Sequence, residues 1–221
     1  MTVQPVAQTV EMLRARVSRM EGAGRQPVAT HPSLAGLVRL YAGGTYQVDS
    51  ASLALMLMAG PSRQGAWTAV VGVADLGLEA AAAVGVDLAR TVLVPDPGPQ
   101  WLEATAALVE SAALVVLRPP GRVDAQTASR LSARLRKKGT VLVAWGSWPR
   151  CDARLSVAAS QWTGPGRGDG RLRSRQVVVT ARRGAGSERR GTLWLPDDDG
   201  AIRAVPAGAA AEVVEEVEAA G

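Results

Sequence analysis

The chain has no phenylalanine, one cysteine, one histidine and two tyrosines among its 221 residues. A single thiol, Cys151, excludes a disulfide within the chain and fits a reducing compartment. The one imidazole, His31, is remote from Cys151 in sequence, so neither a Cys-His nucleophile nor an N/S metal site finds support. His31 precedes Pro32 in a stretch that reads as a solvated linker. No apolar run approaches the roughly 18 residues that a bilayer span requires, and no apolar leader-like region follows Met1. The expectation is a cytoplasmic protein.

What is present fits one sizeable globular domain, with 47% hydrophobic and 20% charged residues. Six tryptophans, at 67, 101, 145, 148, 162 and 194, take the place of the missing phenylalanine. Most are expected in the core or at its rim. Trp148 and Trp162, near loops, are candidates for base stacking or for anchoring an interface.

The net charge of +5 is unevenly spread. Arg167, Arg171, Arg173, Arg175, Arg182, Arg183, Arg189 and Arg190 crowd one segment against only Asp169 and Glu188. Such a segment suits phosphate contacts, a docking partner or a solvated face, since Arg171, Arg173 and Arg175 alternate as on one side of a strand. The C-terminal end is acidic, with Asp197, Asp198, Asp199, Glu212, Glu215, Glu216 and Glu218.

Along the chain, Val6, Val10, Leu13, Val17 and Met20 recur at helical spacing, predicting an amphipathic helix within residues 1–24. Its apolar stripe either packs on its own core or offers a seam to another protein. Residues 25–33, with two prolines, read as a linker, 34–206 as an α/β domain, and 207–221 as an acidic helix or tail. Strands are expected over 37–41, 67–73, 91–94, 114–117 and 140–145. Helices are expected over 50–58, 76–84, 101–111 and 125–138. Short continuous apolar strands alternating with helices predict a mostly parallel sheet covered on both faces. Past Pro149 only strands follow, over 155–162, 171–181, 191–195 and 201–205, which predicts an antiparallel extension.

The stretch Gly44-Thr45-Tyr46-Gln47-Val48-Asp49-Ser50-Ala51 sits where a strand-to-helix phosphate loop would lie. A working loop reads G-x-x-x-x-G-K-[ST], with glycines wrapping the phosphates, lysine neutralising them and a hydroxyl on Mg²⁺. Only Gly44 fits; Asp49, Ser50 and Ala51 replace the second glycine, the lysine and the hydroxyl. The alternative is an ordinary strand-turn-helix junction capped by Asp49 or Ser50.

The order of elements resembles the RecA-like core, and more closely the ImuA type of mutagenesis accessory protein in its short actinobacterial form. The resembling residues run from Gly43 to Pro196 and include Ala66-Trp67-Thr68-Ala69-Val70-Val71, Gly85-Val86-Asp87-Leu88-Ala89-Arg90 and Cys151-Asp152-Ala153-Arg154-Leu155. Gln161-Trp162-Thr163-Gly164 and Leu193-Trp194-Leu195-Pro196 complete them. The resemblance puts the family's catalytic glutamate near Ala74 and Asp75, its metal-associated aspartate on Arg118 and its polar sensor near Gly146 and Ser147. It therefore implies a pseudo-ATPase without cofactor.

The segments after the two inner strands, 118–124 and 146–152, are too short for the DNA-embracing loops of a recombinase. Family likeness implies a recruiting role in DNA-damage-induced translesion synthesis. The implied partners are ImuB, an inactive lesion-bypass polymerase homologue, and through it an error-prone C-family polymerase on the sliding clamp. The first candidate surface for partner binding is Val6, Val10, Leu13, Val17 and Met20, and RecA or a second copy would use the same helix. A cell-division inhibitor of the SulA type and a nucleotide-dependent ATPase are the other two readings. Location would be cytoplasmic, on the nucleoid when DNA is damaged.

Overall fold

A computed structural model of the chain describes residues 25–164, 171–184 and 186–206. Within them lie eleven strands. These are β1 Pro27–Val28, β2 Leu40–Tyr41, β3 Thr45–Val48, β4 Thr68–Val71, β5 Thr91–Val94, β6 Leu114–Leu117, β7 Val141–Trp145, β8 Ala153–Trp162, β9 Arg175–Arg182, β10 Glu188–Trp194 and β11 Arg203–Ala204. Four α-helices accompany them: α1 Ala51–Arg63, α2 Leu78–Val84, α3 Trp101–Leu108 and α4 Ala125–Lys138.

Nine strands form one sheet in the order β11-β10-β9-β8-β3-β7-β6-β4-β5. From β8 to β5 every neighbouring pair is parallel, and β9, β10 and β11 continue the sheet antiparallel. The α/β class, the mostly parallel centre and the antiparallel extension are therefore as the sequence pattern predicts. The inner strands β4 and β6 are buried at every position, which explains their unbroken apolar sequences: both faces are covered by helices.

Two cores flank the sheet. On one face α1 packs with Tyr46, Val48, Val70, Val116 and Val143, and the same core continues to Leu155, Val177, Val179 and Leu193 on the extension. On the other face Ala128, Leu131 and Leu135 of α4 pack with Leu142, Ala144 and Trp148. The spacing of three and four between those α4 residues places them on one stripe. Asp124 caps α4 by accepting the Thr127 N–H at 2.8 Å. Gly139 closes it in the left-handed region at φ 74°.

Three expectations need correction. The strand expected over 37–41 is only Leu40–Tyr41, because residues 32–34 form a 3-10 turn that carries the fully buried Leu34. The central strand is instead β3, inside the stretch read as a phosphate loop. Its polar letters concealed it. The Tyr46 ring is fully buried, its hydroxyl accepting from the Tyr41 N–H at 2.8 Å and donating to the Arg39 carbonyl at 3.2 Å. Burial, and then the nearby Asp152 charge, push its phenol well above the ordinary range.

The linker is not solvated either. Pro27–Val28 pairs antiparallel with Leu40–Tyr41. His31 is 5% exposed; its N–H donates to the Met56 carbonyl at 3.2 Å and its Nδ1 accepts from the Ser33 N–H at 3.3 Å. Gly60 of α1 lies so close beneath this segment that a Cβ there would meet the Ala29 carbonyl oxygen at 2.2 Å. Trp148, a candidate for stacking on a base, is 1% exposed and belongs to the α4-side core.

Candidate functional site

In an open parallel sheet, ligands gather at the C-terminal ends of the strands where the strand order reverses. Here that edge is formed by the segments that leave β3, β4, β6 and β7. Between Val48 of β3 and Ala51 of α1 stand only Asp49 and Ser50. The Ser50 side chain accepts from the Leu53 N–H at 3.3 Å and caps α1. Both Asp49 carboxylate oxygens lie 3.2 Å from the Val157 N–H, next to the irregularity of β8 between Val157 and Ala159. The junction is thus a tight capped turn, with its two polar side chains engaged in holding α1 and β8. Gly44 precedes β3, at the opposite end of the strand from that turn, and the virtual Cβ at this glycine would meet Tyr41 and Tyr46.

The ends of β4, β6 and β7 meet at Arg118. Gly72, at φ 78°, passes so close that a Cβ would sit 2.2 Å from the Arg118 carbonyl oxygen. The Arg118 guanidinium reaches Asp75 at 3.5 Å and lies 4.9 Å from the centroid of the Trp145 ring. Asp75 is 79% exposed and Arg118 48%. The ion pair is therefore weak, worth well under about 1 kcal/mol, and the stacking on Trp145 does more to fix the arginine. The two residues to which the resemblance assigns metal and water chemistry are paired with each other. Among the described residues there is no group of three or more His, Cys, Asp and Glu that could hold a metal ion.

The arginine segment is more dispersed than its sequence suggests. Arg171 and Arg173 are exposed but precede β9, so the expected alternation along one strand begins only at Arg175. Arg175 donates to Ser160 Oγ at 2.7 Å and lies 5.5 Å from the centroid of Trp162, which is 44% exposed. Arg183 covers Tyr41 at 5.5 Å, and Arg189 donates to the Gly36 carbonyl at 3.3 Å. Arg182 points away from these. Its neighbour Ala181 belongs to the α1-side core, so Arg182 projects to the α4 side, where β8 sets Arg154 directly opposite. Arg167 and the apolar stripe Val6, Val10, Leu13, Val17 and Met20 lie outside the described residues.

Sequence reading missed a second basic group. Asp152 ties three distant segments together, accepting from Arg25 Nη1 and from the Thr45 N–H, both at 2.8 Å. Around it a groove of about 300 Å³ is lined by Arg25, Ser129, Arg136 and Arg150. Cys151 lies at its wall, its thiol pushed up by burial. Arg154, two residues beyond Asp152, donates from Nε to Gln47 Oε1 at 3.0 Å. The closeness of Asp152 and Arg154 at the start of β8 was the available signal; the partners across the sheet were not legible without register.

Among the described residues no helix is long and apolar enough to cross a membrane. Residues 33–150 match the family model of the MT3502 N-terminal domain, a stretch that ends just before β8. Over 108 residues the chain is 41% identical to the uncharacterized protein Rv3395c of Mycobacterium tuberculosis (strain ATCC 25618 / H37Rv). That alignment covers 48% of this chain and 53% of Rv3395c, so the chain spans about half the length of the curated relative it matches.

Proposed function

The chain belongs to the MT3502 N-terminal domain family, and from that premise and its sheet edge we propose a non-catalytic accessory protein of the ImuA type, built on a RecA-like core. It would serve DNA-damage-induced translesion synthesis by bringing an ImuB-like partner together with an error-prone polymerase. The parallel sheet with its antiparallel extension is the arrangement that the RecA-like resemblance implies.

One observation carries the pseudo-ATPase part. The turn between β3 and α1 has two residues, Asp49 and Ser50, and its side chains are occupied by Val157 and Leu53. A phosphate cradle needs several free backbone N–H groups and a cation at that point; this turn offers a carboxylate. Arg118 at the neighbouring strand end would repel Mg²⁺ and is paired, weakly, with Asp75. The fold's remaining capacity is its surfaces, which fits recruitment.

Two measurements test the reading. Calorimetric titration of the full chain with Mg-ATP should give no binding in the micromolar range. Affinity capture from DNA-damaged cells should bring down an ImuB-like protein, and deletion of the gene should lower damage-induced mutation frequency. Micromolar Mg-ATP binding with turnover above background would overturn the pseudo-ATPase. Unchanged mutation frequency without that partner would overturn the accessory role.

A further inference from the structure

We propose that the α4-side face of β8, β9 and β10, together with the groove beside α4, is a track for the phosphate backbone of a nucleic acid. This surface is separate from the sheet edge considered above, so either assignment can fail without the other.

Three strands build the track. Leu155, Ala181 and Leu193 point into the α1-side core. Alternation then sends Arg154, Arg182 and Arg190 to the opposite face. Register places Arg154 of β8 opposite Arg182 of β9. Arg190 of β10 stands opposite Thr180, two residues before Arg182 on β9. All three arginines are exposed. Among the described residues one carboxylate shares this face, Glu188 of β10, which stands opposite Arg182 in register but forms no ion pair with it; the salt bridges use Arg25, Arg90, Arg118, Arg134, Lys138 and Arg203. Like charges directly opposite on neighbouring strands oppose folding. A ligand with closely spaced negative charges would turn that repulsion into attraction.

The track continues past Asp152 into the groove, where Arg25, Arg136 and Arg150 stand. Asp152 offsets Arg25, accepting from its Nη1 at 2.8 Å, whereas among the described residues Arg136 and Arg150 form no ion pair. Half-exposed Ser156 and Thr180, paired across β8 and β9 on the arginine face, supply hydroxyls between the guanidinium groups. Guanidinium forks and hydroxyls are the groups that grip phosphate oxygens, and they read no base edge. Phosphodiester chains carry a charge at every nucleotide, one per about 3.4 Å of helix axis for each strand of B-DNA. Such a regular row of charge can be met by guanidinium groups on neighbouring strands, set roughly 5 Å apart. The expected ligand is nucleic acid bound without sequence preference and with steep salt dependence.

The test uses the full chain and fluorescence anisotropy with a labelled 30-nucleotide single strand and the corresponding duplex. Four phosphate contacts predict roughly a 50-fold loss of single-strand affinity between about 50 and 200 mM salt. The double variant Arg154→Gln/Arg182→Gln should reduce the salt slope by roughly 1.4 and weaken binding about tenfold. Arg154→Lys/Arg182→Lys should restore most of the affinity, since lysine still offers a point charge. Arg39→Gln/Arg122→Gln removes equal charge from exposed positions outside the track and should leave binding within about twofold. Circular dichroism confirms that each variant is folded, and the lysine pair decides the matter if the glutamine pair is not. Binding to neither nucleic acid overturns the proposal, as does equal loss in the Arg39/Arg122 control. So does binding of poly-glutamate of matched charge where the oligonucleotide does not bind.

Discussion

Substituting Gly60 by alanine sets two effects of opposite sign against each other. In the interior of α1 the change should help, because alanine exceeds glycine by about 1 kcal/mol in helix propensity. The added Cβ would meet the Ala29 carbonyl oxygen at 2.2 Å, its carbon at 2.4 Å and the Thr30 Cα at 2.6 Å. All three are backbone atoms, so no side-chain rotation relieves the contact. Overpacking of this kind costs about 1–3 kcal/mol. Lifting the segment also breaks the bond from the His31 N–H to the Met56 carbonyl, worth about 1 kcal/mol. The clash should win, leaving Gly60→Ala about 2 kcal/mol less stable. For a chain of this size that lowers Tm by roughly 4–8 °C. Urea unfolding followed by tryptophan fluorescence gives the free energy. Gly36→Ala, with nothing within 4 Å of its Cβ, serves as the neutral control. If Gly60→Ala proves neutral or more stable, residues 27–31 do not dock on α1, and the solvated linker expected from sequence was right.

Two further outcomes follow from the same region. Ser50→Ala should cost about 1 kcal/mol through loss of the cap on α1, measured by thermal melting; a loss of Mg-ATP binding instead would restore a nucleotide role to this turn. Burial, and after it the Arg63 charge, hold the His31 imidazole below its ordinary 6.5. The unfolded chain then takes up the proton first as pH falls, so stability is intact above about pH 6.5 and is lost as pH drops toward the lower folded value. Melts from about pH 8 to pH 5 should show that decline. His31→Asn, which keeps an acceptor for the Ser33 N–H, should flatten it; parallel curves would refute the assignment.

The sequence was most legible where one physical effect dominates. The strands at 91–94 and 114–117 and the helix at 125–138 have the bounds expected from their apolar runs and helical pattern, and in the structure Asp124 caps that helix and Gly139 ends it. It misled where tertiary contacts override local preference. Gly43 and Gly44 look like a loop opening, yet they precede a central strand whose one large side chain, Tyr46, is polar at its tip. Pro27 and Pro32 look like linker signals, yet they flank a segment fastened to α1. The site followed the same division. That 44–51 lacks the lysine and metal hydroxyl of a phosphate loop was evident from residue types. That Arg154 faces Arg182 was not, since it depends on the register of β8 and β9.

The position of β3 also decides how the molecule may be cut. The matched stretch 33–150 ends before β8, the strand that borders β3 on the side away from β7. A fragment trimmed to those limits would leave β3 as a bare edge, strip Asp152 from the Thr45 N–H and uncover Val48 beside the missing Leu155. It would also discard Arg25 and the first short strand. A piece that keeps these hydrogen bonds must retain Arg25, the first short strand and β8, and expression of the matched stretch alone would probe an exposed ladder in place of the protein.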